Sequence, residues 1–84
     1  MNNIIMRKIV LTAEYQPLSP VQLVASVEIA ARTENYDDVI FQGDDGSEVP
    51  WVPGEFHLFQ RVDLSAIQVK GEPDDVVTIV GGTW

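Results

Sequence analysis

Apolar and polar residues alternate along most of this chain, and the alternation predicts strands. In the run from Val21 to Ala30 the odd positions Val21, Leu23, Ala25, Val27 and Ile29 form one apolar face, with Gln22, Ser26 and Glu28 opposite. That period of two marks a half-buried strand. The stretch Arg7 to Ala13 alternates likewise, with Ile9, Leu11 and Ala13 on one side and Lys8, Val10 and Thr12 on the other. Shorter extended patterns fall at Asp38–Gln42 and Phe56–Gln60. Between them lie strong turn signals. Gln16-Pro17-Leu18-Ser19-Pro20 carries two prolines that no sheet or helix passes through, and Gly43-Asp44-Asp45-Gly46-Ser47 is turn chemistry throughout. Pro53-Gly54 is the pair a type II turn favours. Two β-rich runs close the chain, Val62–Gly71 and Val76–Gly82, around Glu72-Pro73-Asp74-Asp75, and together they read as a β-hairpin introduced by an Asp63-Leu64-Ser65 turn. No window of helical length keeps a three-and-four spacing free of the competing period of two. Six or seven short strands predict an all-β, antiparallel β-sandwich, jelly roll or barrel.

With 84 residues there is room for one domain, 1–84, whose ends at 1–5 and 81–84 are expected to be loose or docked on a partner. A core this small offsets little more than the cost of ordering the chain. There is no cysteine, so neither disulfides nor a cysteine zinc site can add stability, and oligomerisation or docking is the common remaining route. The amino end lacks the layout of a signal peptide, because Arg7 and Lys8 interrupt its apolar run, and no run approaches the ~20 residues that span a bilayer. The expectation is a soluble protein made in the cytoplasm. Thirteen acidic against five basic residues give a net charge of −8, which repels phosphate backbones and anionic lipid. Neither nucleic acid nor membrane is an expected partner.

Candidate chemistry is sparse. His57 is the sole histidine, so no histidine pair is available for catalysis or metal binding; if Phe56 and Leu58 face the core, His57 faces outward. The acidic pairs Asp37-Asp38, Asp44-Asp45 and Asp74-Asp75 offer oxygen ligands of the kind calcium uses, yet their spacing fits no EF-hand and aspartate also caps turns. No serine has a Gly-x-Ser-x-Gly context, and no glycine-rich phosphate loop opens onto a helix. An enzyme is not expected, nor any cofactor or metal. Aromatic residues outside the alternation are the better candidates. Trp51 lies between two prolines and either anchors an interface or covers an open end of the sandwich, while Trp84 ends the chain. The expected interface comprises Trp51, Pro53, Phe56, Phe59 and Trp84.

Several segments of the second half fall in an order with a known likeness. Val39-Ile40-Phe41-Gln42-Gly43, Val49-Pro50, Gly54-Glu55, Val62-Asp63-Leu64-Ser65-Ala66-Ile67-Gln68-Val69-Lys70-Gly71 and Asp74-Asp75-Val76-Val77-Thr78-Ile79-Val80 resemble the carboxyl-terminal pattern of small bacteriophage virion structural proteins. In that pattern an Ile- or Val-Pro step and a Gly-Glu turn precede Val-Asp-Leu-Ser-x-Ile-Tyr-Val-x-Gly, a Gly-Asp loop and a Val-rich strand. Gln68 replaces the usual aromatic, Asp74-Asp75 replaces Gly-Asp, and Pro50-Trp51-Val52-Pro53 is unusually rich in proline and tryptophan. The resemblance implies a small β-sandwich or jelly roll located in the virion, used in many copies. Its expected role is a capsid decoration or cement subunit, with the major capsid protein or other virion proteins as partners and a homo-oligomer as its state. A tail, connector, baseplate or fibre-associated subunit is an alternative. So is a carbohydrate-binding module in which Trp51, Tyr36 or Trp84 stacks on sugar rings.

Overall fold

A computed structural model describes residues 3–83, and in these residues the chain is all-β: two antiparallel four-stranded sheets packed face to face, not a closed barrel. One sheet is built of long strands, β1 (Asn3–Val10), β3 (Val24–Ala31), β6 (Phe56–Asp63) and β8 (Val76–Thr83), in the order β1-β8-β3-β6. The other holds the short strands β2 (Gln16–Pro17), β4 (Val39–Gln42), β5 (Val49–Trp51) and β7 (Gln68–Lys70), in the order β2-β7-β4-β5. Successive strands change sheet at every connection except β4 to β5, where the Gly43–Ser47 loop closes a hairpin. The short sheet therefore covers only the inner face of the long one.

Alternation places the core as expected along β3, where Ala25, Val27, Ile29 and Ala31 are buried. Val21 stands before the strand and is exposed. Ile5, Val27, Ile29, Val77 and Ile79 of the long sheet meet Val39, Phe41, Trp51 and Val69 of the short sheet, with Leu11, Leu18 and Leu64 closing the ends. Burying a side chain of this size contributes about 1.5–3 kcal/mol. Gly81 is required where β8 crosses β3: a Cβ there would collide with the Ser26 carbonyl and lie 2.6 Å from the Val27 Cα. Residues 3–5 and 81–83, expected to be loose or docked, pair with one another in the β1–β8 ladder.

The closing segment is not a hairpin. β7 pairs with β2 and β4, whereas β8 pairs with β1 and β3 in the opposite sheet. The reason lies in the intervening loop, whose backbone groups are used elsewhere: Gly71 N–H donates to Thr12 O (3.0 Å), Leu11 N–H to Asp75 O (2.8 Å), and Asp74 N–H to Leu11 O (3.3 Å). The chain leaving β1 thus draws 71–75 across the end of the sandwich.

Two turns match their expected chemistry. Pro53-Gly54 forms a four-residue turn closed by Glu55 N–H to Val52 O at 2.9 Å, with Gly54 at φ +89°, as a type II turn requires. Asp63 caps a single 3₁₀ turn, Leu64–Ala66, which carries the chain from the long sheet to the short one. One Asp63 oxygen accepts from Ser65 N–H (3.0 Å), Ser65 Oγ (2.7 Å) and Leu23 N–H (3.2 Å). Ser65's side-chain hydrogen bond, then its N–H and that of Leu23, hold the Asp63 carboxyl below its ordinary pKa.

Candidate interaction surface

Trp51, the first candidate for an exposed anchor, is a core residue: it is 6 % exposed and stacks on Phe41 with ring centroids 3.9 Å apart. Its strand is short and at a sheet edge, but its side chain turns inward, where His57 meets it edge-on (4.7 Å) and Phe59 lies parallel (6.4 Å). This burial removes the surface that sugar stacking or partner anchoring by Trp51 would need. Pro53 is exposed in its turn, Phe59 is half-buried against the core, and Phe56 is exposed. Trp84 lies outside the described residues. Of the aromatics considered for stacking on sugars, Tyr36 does present its ring, at 88 % exposure.

The expected facing of β6 is reversed. His57 and Phe59 point toward Trp51, so Phe56 and Leu58 point outward, 57 % and 75 % exposed. His57 Nε2 stands 2.7 Å from a Glu55 oxygen, and the other Glu55 oxygen accepts from Val52 N–H (3.1 Å). Hydrogen bonding to His57 foremost, helped by Val52, holds the Glu55 carboxyl below its usual range. The Val52–Glu55 hydrogen bond braces the Pro53-Gly54 turn that joins β5 to β6, and His57 fixes the Glu55 carboxylate in place for it.

The acidic pairs also work as backbone caps. Asp75 accepts from Tyr36 N–H (2.8 Å) and Asp37 N–H (3.0 Å), Asp37 from Asp38 N–H (2.8 Å), and Asp45 from Ser47 N–H (2.9 Å). Among the described residues no three His, Cys, Asp or Glu side chains converge as a metal would need. On the short sheet, Tyr15 donates to Glu48 (2.6 Å) and Lys70 reaches the same oxygen (3.2 Å) while lying 4.6 Å from the Tyr15 ring centre. Desolvation, then the Glu48 hydrogen bond and charge, push the Tyr15 hydroxyl up to about 12. That outer surface is polar and internally paired.

The outer face of the long sheet is different. Positions alternating with the core put Ile4 (77 % exposed), Met6 (74 %), Val80, Phe56 and Leu58 on one continuous surface. The ladders align Met6, Val80, Glu28 and Leu58 in one row, and Lys8, Thr78, Ala30 and Phe56 in the next. Charge is distributed unevenly about this face. The four long strands hold two of the thirteen acidic residues and three of the five basic ones, leaving eleven acids and two bases for the loops and short sheet. Of the expected interface residues that are described, Phe56 alone belongs here. Ile4, Met6, Leu58 and Val80 are not among the expected interface residues; the signal for them is an apolar residue on the strand face opposite the core, the pattern of a sheet covered on both sides.

The two edges of this sheet differ. β6 carries a bulge where Gln60 and Arg61 oppose Ser26, with Arg61 at φ +54° and its N–H donating to Ser26 Oγ (3.1 Å). Such a bulge interrupts the regular edge that strand addition requires. An apolar cleft of about 230 Å³ opens at the β5–β6 flank beside Phe41, Val49, Trp51, Phe59 and Ile67. No helix among the described residues is long and apolar enough to cross a membrane. No protein-family model, curated protein or solved structure matches the chain.

Proposed function

We propose that the protein is a bacteriophage virion structural protein, a capsid decoration or cement subunit that acts by assembly and performs no chemistry. The observation that carries this reading is the apolar outer face of the long sheet, where Ile4, Met6, Val80, Phe56 and Leu58 lie in water on an otherwise acidic molecule. Its five side chains expose on the order of 600 Å² in two groups, Ile4, Met6 and Val80 on one side of Glu28 and Leu58 and Phe56 on the other, and exposed apolar surface on this scale marks interaction sites. The polar groups elsewhere support the same reading, because Asp45, Glu55, Asp63 and Asp75 each accept hydrogen bonds that hold turns in place. The likeness of the Val39–Val80 segment to small virion proteins supplies the setting. A subunit present in many copies gains avidity from symmetry, so each contact can be modest.

The test is to mix purified protein with capsids that lack it and to sediment the mixture. Co-sedimentation with a rise in the temperature of capsid disruption is expected. No complex and no added heat resistance would sink the decoration role, and labelled protein found only at the tail in electron micrographs would move it to the tail.

A further inference from the structure

We propose that the outer face of the long sheet is occupied by a second copy of this chain, packed face to face about a two-fold axis. This deepens the assembly reading, and rests on that face being the assembly surface. Area is the first argument. A standard interface buries ~800 Å² per partner with roughly 60 % of it apolar, and the five exposed side chains supply on the order of 600 Å².

Charge is the second. An acidic partner surface is the ordinary consequence of two copies of a −8 chain meeting, but here most of the acid lies away from the face. The two central rows of the face carry one cation, Lys8, and one anion, Glu28, each without an ion-pair partner among the described residues, while a second cation, Arg61, lies at the Ser26–Gly82 end of the face. Lys8 and Glu28 are separated by the β8 strand and lie in adjacent rows. A two-fold axis along the strands, between β8 and β3, lays β1 over β6 of the second copy and β8 over β3. Met6 then faces Leu58 of the second copy, Lys8 faces Phe56, and the Lys8 ammonium lies one strand from Glu28. Each copy supplies one such pair, so the contact is self-complementary. Aligned stacking of twisted sheets about 10 Å apart is the usual geometry of sandwich layers.

Sedimentation equilibrium of the full chain at physiological salt tests this. Wild type is expected to be a dimer, and Met6→Asp to be monomeric at the same concentration with an unchanged circular dichroism spectrum. Because Met6→Asp removes apolar area from any partner, the charges supply the decisive arm. Lys8→Glu and Glu28→Lys each weaken the dimer at least tenfold, and the double variant, which restores the opposite pair, recovers most of the loss. A monomeric wild type that still co-sediments with capsids would overturn the second copy while leaving the virion role standing. A dimer indifferent to Met6→Asp, or a double variant as weak as the singles, would also overturn it. A dimer with the expected charge behaviour that ignores capsids would support this inference and sink the virion role.

Discussion

Replacing Asn35 by alanine tests how the long β3–β4 connection is held, because one buried amide does the holding. Asn35 is 7 % exposed and clamps Val76 in both directions: its Nδ2 donates to Val76 O (2.9 Å) and its Oδ1 accepts from Val76 N–H (2.8 Å), across 41 residues. Removing the amide has unequal effects on the two backbone groups. Val76 O keeps a donor, since Arg32 N–H reaches it at 3.1 Å, so loss of that bond costs about 1 kcal/mol. Val76 N–H loses its acceptor at a residue 5 % exposed, and an orphaned buried donor costs about 1–3 kcal/mol. The sum is about 2–4 kcal/mol, a large share of the 5–15 kcal/mol typical of a domain. In a chain of this size each kcal/mol lowers Tm by about 4–8 °C, so a fall of at least about 8 °C is expected in a thermal melt. Asn35→Asp keeps the size and the acceptor but sets an oxygen against Val76 O, and should be at least as damaging. Urea titration with an unchanged slope would confirm a stability effect in a folded protein. A loss below about 0.5 kcal/mol would refute the clamp and mean that water serves Val76 equally well.

Other predictions follow from single contacts. Gly81→Ala forces β8 away from β3 at Ser26 and Val27, and should cost at least about 1–3 kcal/mol by urea titration. Trp51→Ala should lower stability by about 3–5 kcal/mol in the same assay, with any loss of binding following from unfolding; loss of binding at wild-type stability would contradict its place in the core. The Asp63 carboxyl titrates lower in the folded chain than in the unfolded one, so its contribution is complete above the unfolded value near ~3.9 and is lost as pH falls through the folded value. Asp63→Asn should therefore flatten the acid limb of a stability–pH curve.

Much of the fold could be read from the sequence where local chemistry and burial agree. Ala25, Val27 and Ile29 alternate with polar neighbours and point inward; Pro53-Gly54 and Asp63-Leu64-Ser65 form the turns their side chains favour. The errors arose where partners distant in sequence decide. Val62–Gly71 and Val76–Gly82 look like a hairpin, but Leu11 and Thr12 take the hydrogen bonds of the intervening loop and send the two strands to different sheets. Phe56, His57, Leu58 and Phe59 are all hydrophobic or aromatic, so alternation alone cannot orient β6; the Trp51 ring decides by packing on His57 and Phe59. The candidate surface was hidden for a related reason. Ile4, Met6 and Val80 resemble core residues in sequence, and they lie in water because they point away from the short sheet, which covers only the opposite face.

Hydroxyl-radical footprinting of the assembled protein tests most directly the claim that the outer face of the long sheet is where this molecule assembles. Met6, Phe56 and Leu58 should each lose reactivity several-fold on going from dilute monomer to the assembled state, with Tyr36 providing a comparison on the β3–β4 loop. Unchanged reactivity at Met6 and Leu58, with protection confined to Tyr36 or the Tyr15–Glu48–Lys70 surface, would contradict the account.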